Sequence, residues 1–286
     1  MSEPNPEGKL RVALVQLRPG LDVQANLGRI LDSIRQSGDL GADLAVIPEN
    51  AMCIGSNAQM RAAAVSVDGP EITAVRNAAR QANVAVVLGG FKQKSDRPLL
   101  GNTALVIRSD GSIQGSYDKL HLFNAVVAGQ SFRASDVESA GEDLVIADIK
   151  GVKVGLSICF DIRFPEMFRK LACAGAQVIL IPSAFTQTTG EAHWEVLVRA
   201  RAIENEAYVV ASATISSGEA VESGFATFGH ALVVDPWGRI MANLGTAPHA
   251  VQVVDLDMQN VAEIRKKLPV LDVARGDVYR KAPVLI

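Results

Sequence analysis

Apolar residues along this chain fall into short runs separated by turn residues, and the period within each run predicts its element. Leu10 to Leu17 (LRVALVQL) alternates and is β-branched, while from Asp22 to Gln36 the residues Val23, Leu27, Ile30, Leu31 and Ile34 recur at helical spacing. This reads strand, then helix. Leu44 to Pro48 is a buried-type strand ending at Glu49, Glu71 to Ala82 a helix entered through Asp68-Gly69-Pro70, and Val84 to Phe91 a third strand. The βαβαβ rhythm then breaks, because Asn102 to Arg108 and Ser112 to Ser116 flank Ser109-Asp110-Gly111, a hairpin signal that brings antiparallel strands into the sheet.

The second half repeats the theme. Strands are expected at Leu144 to Ile149 and Val152 to Cys159, then a helix opening near Pro165, a residue suited to a first helical turn. Val178 to Pro182 reads as a strand, Ala192 to Asn205 as a helix and Tyr208 to Thr214 as a strand. A hairpin follows across Pro236-Trp237-Gly238, then a strand at Val251 to Leu256 and a short helix to Lys267. No Pro/Gly/Ser-rich linker divides the halves. The element count predicts an α/β fold, an αββα four-layer sandwich of two mixed β-sheets flanked by helices, in one domain over 9–286 behind a loose tail at 1–8.

A chain of 286 residues, 48% hydrophobic and 21% charged, can bury roughly three quarters of its unfolded surface, so neither disulfides nor a structural metal are needed to fold it. The net charge of −3, without a basic stripe, argues against nucleic acid as a partner. The first eight residues carry two prolines and two acids, unlike a secretory signal, and no apolar run approaches the roughly 18 residues that span a bilayer, so no membrane association is expected. Cys53, Cys159 and Cys173 are odd in number and widely spaced, which suits a reducing cytoplasm; with four scattered histidines and no CxxC pair, no metal site is expected. Neither GxGxxG nor GxxxxGK[ST] follows a strand, which disfavours a nucleotide-binding module.

Cys159 ends a strand just before a helix, where backbone N–H groups would lower a thiol pKa; a cysteine at a strand end is also a common inert core residue. Cys173, inside a helical stretch, reads as core, and Cys53 is indeterminate. Ser157 is excluded as a nucleophile, because the serine elbow requires glycine where Cys159 stands. Glu49 sits at a strand's C-terminal end, where open α/β sheets place ligands, or is a solvated loop acid. Lys119 reads by default as a surface lysine, and His121 as a base or a structural histidine.

In combination these segments say more. Ile47-Pro48-Glu49, Asp118-Lys119-Leu120-His121-Leu122-Phe123 and Ile158 to Glu166 (ICFDIRFPE) occur in the order and spacing of the nitrilase superfamily of carbon-nitrogen hydrolases, which the chain resembles over residues 10–280. Ile181-Pro182-Ser183-Ala184-Phe185, Ala192 to Leu197, Arg199 to Glu204 and Asp235-Pro236-Trp237-Gly238 extend the likeness, which is strongest to the Nit branch of ω-amidases and deaminated glutathione amidases. The resemblance implies Glu49 as general base, Lys119 as cationic stabiliser of the tetrahedral intermediate and Cys159 as nucleophile, with Phe160, Arg163, Ser183 and Phe185 at the substrate. It implies a small carboxylated amide as substrate, no cofactor and a homodimer or larger homo-oligomer. A true nitrilase and an N-carbamoyl amino acid hydrolase stay open as alternatives.

One position departs from the family pattern. A second glutamate usually follows an aromatic-Arg pair; here the stretch is Phe132-Arg133-Ala134-Ser135, with alanine in the acid's place. Moving Asp136 or Glu138 into that position would shift Phe132 and Arg133 out of register, which disfavours them as substitutes; an unchanged rate in Ala134→Glu would point first to Glu138 as the residue that already does the job. The expectation is slow turnover, which Ala134→Glu would raise tenfold or more, with a catalytically weak binding or regulatory protein as the alternative.

Overall fold

The computed structural model describes residues 8–94, 96–216 and 226–285; residues 1–7 of the expected tail lie outside these. Gly8, placed in that tail from the sequence, accepts a hydrogen bond from the Met258 amide at 2.8 Å. In chain order the elements are β1 (Lys9–Leu17), α1 (Val23–Asp39), β2 (Leu44–Ile47), α2 (Asn57–Ala62), β3 (Val65–Ser66), α3 (Pro70–Ala82), β4 (Ala85–Lys94), β5 (Gly101–Ile107) and β6 (Ile113–Asp118). There follow β7 (Asn124–Val127), β8 (Gln130–Arg133), β9 (Ile146–Ile149), β10 (Val152–Leu156), α4 (Pro165–Cys173), β11 (Val178–Leu180) and α5 (Gln187–Asn205). The chain continues through β12 (Tyr208–Ala211), β13 (Ala213–Thr214), β14 (Leu232–Val234), β15 (Ile240–Asn243), β16 (Ala250–Asp257), α6 (Met258–Lys267) and α7 (Gly276–Tyr279).

Two mixed sheets form the centre. The first runs β13-β1-β2-β4-β5-β6, with β16 also on β1 and β3 on β4; the second runs β15-β14-β12-β11-β10-β9. The period of two along β1 explains the layering: Leu10, Val12 and Leu14 join one cluster with Val154, Leu156 and Val178 of the second sheet, whereas Ala13 and Val15 pack with Ile30 and Ile34 of α1 and Ile72 and Val75 of α3. Phe168 and Leu171 of α4 and Trp194, Val198 and Ala202 of α5 complete the larger cluster beyond the second sheet. The result is the expected αββα sandwich.

Several boundaries move for physical reasons. The strand expected to reach Cys159 ends at Leu156, because Ile158 is buried like a strand residue while Cys159 turns left-handed with φ +47°. The helix expected from Ala192 begins at Gln187, its first turn being polar. Tyr208 to Thr214 is two strands rather than one: β12 pairs in the second sheet, then the chain crosses over and β13 pairs with β1 of the first. The hairpin β7-β8 turns through Ala128 (φ +48°) and Gly129 (φ +81°), and alanine at a left-handed position is not a turn signal.

Candidate active site

Glu49 follows β2 and Pro48, Lys119 follows β6 directly, and Cys159 follows β10, so the first sheet brings the carboxylate and the amine while the second brings the thiol. Room for Glu49 is made by a glycine pair in β4. The register with β5 shifts between Leu88 and Phe91. A Cβ on Gly89 would lie 2.3 Å from Pro182 Cβ, and one on Gly90 (φ +53°) 2.5 Å from Glu49 Cγ.

Glu49 Oε1 accepts from Lys119 Nζ at 2.8 Å and from Asn102 Nδ2 at 3.0 Å, and Oε2 accepts from the Ala184 amide at 2.9 Å. Both partners of the Glu49–Lys119 pair are 4% exposed at the side chain. Burial by itself would raise the Glu49 pKa, but the charges of Lys119 and Lys92 and the hydrogen bonds from Lys119 and Asn102 outweigh it and hold the carboxyl below its ordinary range. For Lys119, burial works against the cation, yet the charges of Glu49, Cys159 and Glu138 prevail and raise its pKa. The site thus contains a carboxylate and an ammonium side by side.

Cys159 sits on a 3₁₀ turn, Cys159–Arg163, which leads through Phe164 into α4. Its left-handed backbone costs a non-glycine residue on the order of 1–2 kcal/mol and is held in place by several bonds. The Cys159 amide donates to the Pro182 carbonyl at 3.0 Å. The Asp161 carboxylate accepts from the Ile158 amide at 2.8 Å, the Tyr117 hydroxyl at 2.6 Å and the His121 amide at 3.1 Å. Beneath, Arg201 Nε donates to the Ile162 carbonyl at 2.8 Å. Asp161 therefore ties the segment carrying Lys119 to the turn carrying Cys159. The thiol is not lowered as a helix N-terminus would lower it: burial first, then the Glu49 charge, push it well above the ordinary range, with Lys119 pulling the other way. At neutral pH it is a thiol beside a base.

A cavity of about 70 Å³ opens at these groups, lined by Glu49, Lys119, Cys159, Phe160, Arg163 and Phe185 together with Asn57, Met60 and Thr189. The Arg163 guanidinium lies 5.1 Å from the Phe185 ring centre and 5.9 Å from that of Phe160, and its Nη1 is 3.3 Å from His193 Nδ1. Among the described residues no carboxylate pairs with it, Glu166 of the same motif included. Ser183 is a correction: it is fully buried and absent from the cavity wall, its hydroxyl donates to the Ile181 carbonyl at 3.0 Å, and it bridges to Ala213 where the chain crosses between sheets. His121 is structural, with Nδ1 2.8 Å from Asp161 Oδ1 and its ring stacked on Phe164 at 3.6 Å. Cys173 is exposed rather than core, and Cys53 is buried with Sγ 3.8 Å from the Leu21 carbonyl.

The departure at Ala134 also reads differently in space. Ala134 lines the cavity, and its carbonyl accepts from the Glu138 amide at 2.8 Å. That single turn carries Glu138 inward without disturbing Phe132 or Arg133. Glu138 Oε1 meets Lys92 Nζ at 2.7 Å and Oε2 accepts from Asn102 Nδ2 at 3.1 Å, with both charged side chains at most 6% exposed. A buried carboxylate is present near Lys119 after all. Asn102 and Lys92 are residues the sequence did not single out; both lie on strands whose apolar character hides them.

A carbon-nitrogen hydrolase family profile matches residues 11–266. The deaminated glutathione amidase of Yersinia enterocolitica is 36% identical over 267 residues, covering 91% of this chain and 91% of that one. The omega-amidase NIT2 of Homo sapiens is 34% identical over 273 residues, 94% of this chain and 96% of the relative. Among solved structures, the NitFhit protein of Caenorhabditis elegans superposes with a TM-score of 0.88 at 34% identity, over 95% of this chain and 66% of that one. Nit3 of Saccharomyces cerevisiae, a member of branch 10 of the nitrilase superfamily, gives 0.82 at 29% identity over 95% and 97%. The chain belongs to the carbon-nitrogen hydrolase family of the nitrilase superfamily and is a carbon-nitrogen hydrolase.

Proposed function

We propose that the chain hydrolyses a small carboxylated amide, an ω-amide of the 2-oxoglutaramate type or a deaminated glutathione type, through a thioester on Cys159. The observation that carries this reading is the meeting of an ionised carboxylate, Glu49, an ammonium, Lys119, and a protonated thiol, Cys159, in one small cavity. Glu49 takes the thiol proton as Sγ attacks the amide carbon. The oxyanion forms against the Lys119 ammonium and the Phe160 amide, which act best in a dry site. The tetrahedral carbon then expels nitrogen, which takes the proton from Glu49 and leaves as ammonia. Water, deprotonated by Glu49, attacks the thioester; its collapse releases the carboxylic acid and returns the proton to sulfur.

A cavity this small, well below the roughly 300 Å³ of drug-sized sites, suits a compact acyl group, and Arg163 on its wall suits a carboxylate on that group. The non-catalytic alternative drew its motive from Ala134, and the carboxylate of Glu138 weighs against it. We read 9–286 as a single hydrolase domain. A homodimer or larger assembly is expected, and exposed Val196, Ile203 and Trp237 on and beside α5 favour it. A sedimentation mass at the 30.3 kDa monomer would overturn that expectation.

The test is ammonia release from a panel of carboxylated ω-amides, with mass spectrometry of the quenched protein. Turnover with an acyl adduct on Cys159 is expected. A folded protein that releases no ammonia, or an adduct on Cys53 or Cys173, would overturn the reading.

A further inference from the structure

We propose that Glu138 and Lys92 form a second buried ion pair that positions the catalytic carboxylate Glu49 through Asn102, Glu138 supplying from one helical turn downstream the acid that Ala134 lacks. The inference rests on the amidase reading above. Its basis is a single side-chain amide shared by two acids. Asn102 is 1% exposed, and its two N–H donors are directed one to Glu49 Oε1 at 3.0 Å and the other to Glu138 Oε2 at 3.1 Å. Turning that amide over would set its oxygen against two carboxylates, so the orientation is fixed by charge. Asn102 also anchors Lys119 through the backbone, its carbonyl accepting from the Lys119 amide at 2.9 Å.

Glu138 is delivered by backbone, not by chance packing. Leu100 and Glu138 form a β-bridge; the Leu100 amide donates to Val137 at 2.9 Å and Ser139 returns a bond to Leu100 at 3.0 Å. Leu100 lies two residues before Asn102, so this bridge sets the acid opposite the amide it uses. Lys92, on β4 beyond the glycine pair, supplies the countercharge that makes a second buried carboxylate tolerable beside the first. The charges run Lys92, Glu138, Glu49, Lys119, each acid paired with its own lysine and the two acids joined through Asn102, with Cys159, Cys53, Arg133 and Arg163 the other titratable groups around them.

The opposite charges of Glu138 and Lys92 predict opposite effects on Glu49. Losing the Glu138 charge leaves Lys92 to act alone on Glu49 and makes it a weaker base; losing Lys92 leaves Glu138 to make it a stronger one. A pair whose charges do not reach Glu49 would shift neither. The experiment is the pH profile of kcat/KM for E138Q, K92M and K92M/E138Q, with thermal unfolding to verify the fold and iodoacetamide alkylation of Cys159 measured over the same pH range. The acid limb is expected to move down by about 0.5 pH unit or more in E138Q and up in K92M. The double variant should restore the limb but keep kcat about tenfold or more below wild type, with KM changed little, because an uncharged acceptor holds Asn102 less firmly.

Should the singles fail to fold, the electroneutral double variant decides. Wild-type kcat in folded K92M/E138Q, unmoved limbs in folded singles, or loss of fold in the double variant would each overturn the proposal, the last because the pair would then be structural only. A wild-type protein that releases no ammonia would instead defeat the amidase reading. In that case the alkylation profiles, which need no substrate, still test the pair, with the Cys159 titration displaced downward in E138Q and upward in K92M.

Discussion

The Glu138 amide donates to the Ala134 carbonyl at 2.8 Å, so the two residues stand on successive levels of one helical turn at the edge of the cavity. The carboxylate of Glu138 already lies within hydrogen-bonding distance of Asn102 and Lys92. A further carboxylate at 134 would place a third acid in the cavity with Glu49 and Glu138, whose lysine partners Lys119 and Lys92 are already engaged. Ala134→Glu is therefore expected to lower kcat/KM by about tenfold or more, a barrier increase of about 1.4 kcal/mol or more, reversing the sequence-based expectation. Steady-state ammonia release checks this; a tenfold gain would show that the position lacks its acid.

Glu49 is held ionised by Lys119 while it holds the Cys159 thiol protonated. Glu49→Gln should separate these two effects. Amide hydrolysis should fall by about 10²–10⁴-fold with the loss of the base. The pH midpoint of Cys159 alkylation should nonetheless move down, because both the Glu49 charge and its hydrogen bond raise the thiol. An upward or unchanged midpoint would contradict the electrostatic account. For stability the sign is that of a carboxyl whose folded pKa is lowered: the Glu49 contribution is complete above its ordinary value of 4.5 and is lost as pH falls through the lowered folded one.

Gly90 tests how the backbone makes room for the site. Its φ of +53° disfavours any side chain, and a Cβ would sit 2.5 Å from Glu49 Cγ and 3.0 Å from Asn102 Oδ1. Gly90→Ala should cost about 1–3 kcal/mol in denaturant unfolding and lower kcat more than KM, since the atoms displaced belong to the base rather than to the outer cavity. Unaltered kinetics would mean that the glycine serves the sheet alone.

What the sequence revealed follows from the range of each interaction. Strands such as β1 and helices such as α1 carry their own period, and Asp22 caps α1 by accepting from the Gln24 and Ala25 amides at 2.9 and 3.1 Å. Glu49, Lys119 and Cys159 were legible because each ends or follows a recognisable strand inside a recognisable motif. Asn102 and Lys92 were not, because their roles come from pairings 36 to 53 residues apart that no local pattern encodes. Ser183 shows the converse: it belongs to a matching motif, yet its hydroxyl is consumed two residues away at the crossover between sheets. The register argument against Glu138 as the substitute acid holds for an extended chain and fails for a turn.

Arg163 carries the substrate-class prediction. Its guanidinium is half-buried between Phe160 and Phe185 on the wall that also holds Cys159. With His193 as its hydrogen-bond neighbour and no carboxylate paired with it among the described residues, it is positioned to accept an anionic group from outside. A charge-assisted hydrogen bond is worth roughly 1.5–3 kcal/mol, and the planar fork of arginine matches a carboxylate as a lysine ammonium does not. Arg163→Ala should then reduce kcat/KM for a carboxylated ω-amide by about 10–100-fold while leaving the neutral amide of equal length within about threefold, and Arg163→Lys should recover only part of the loss. Equal losses for both substrates would assign Arg163 to the architecture of the cavity, and losses for neither would remove it from the site.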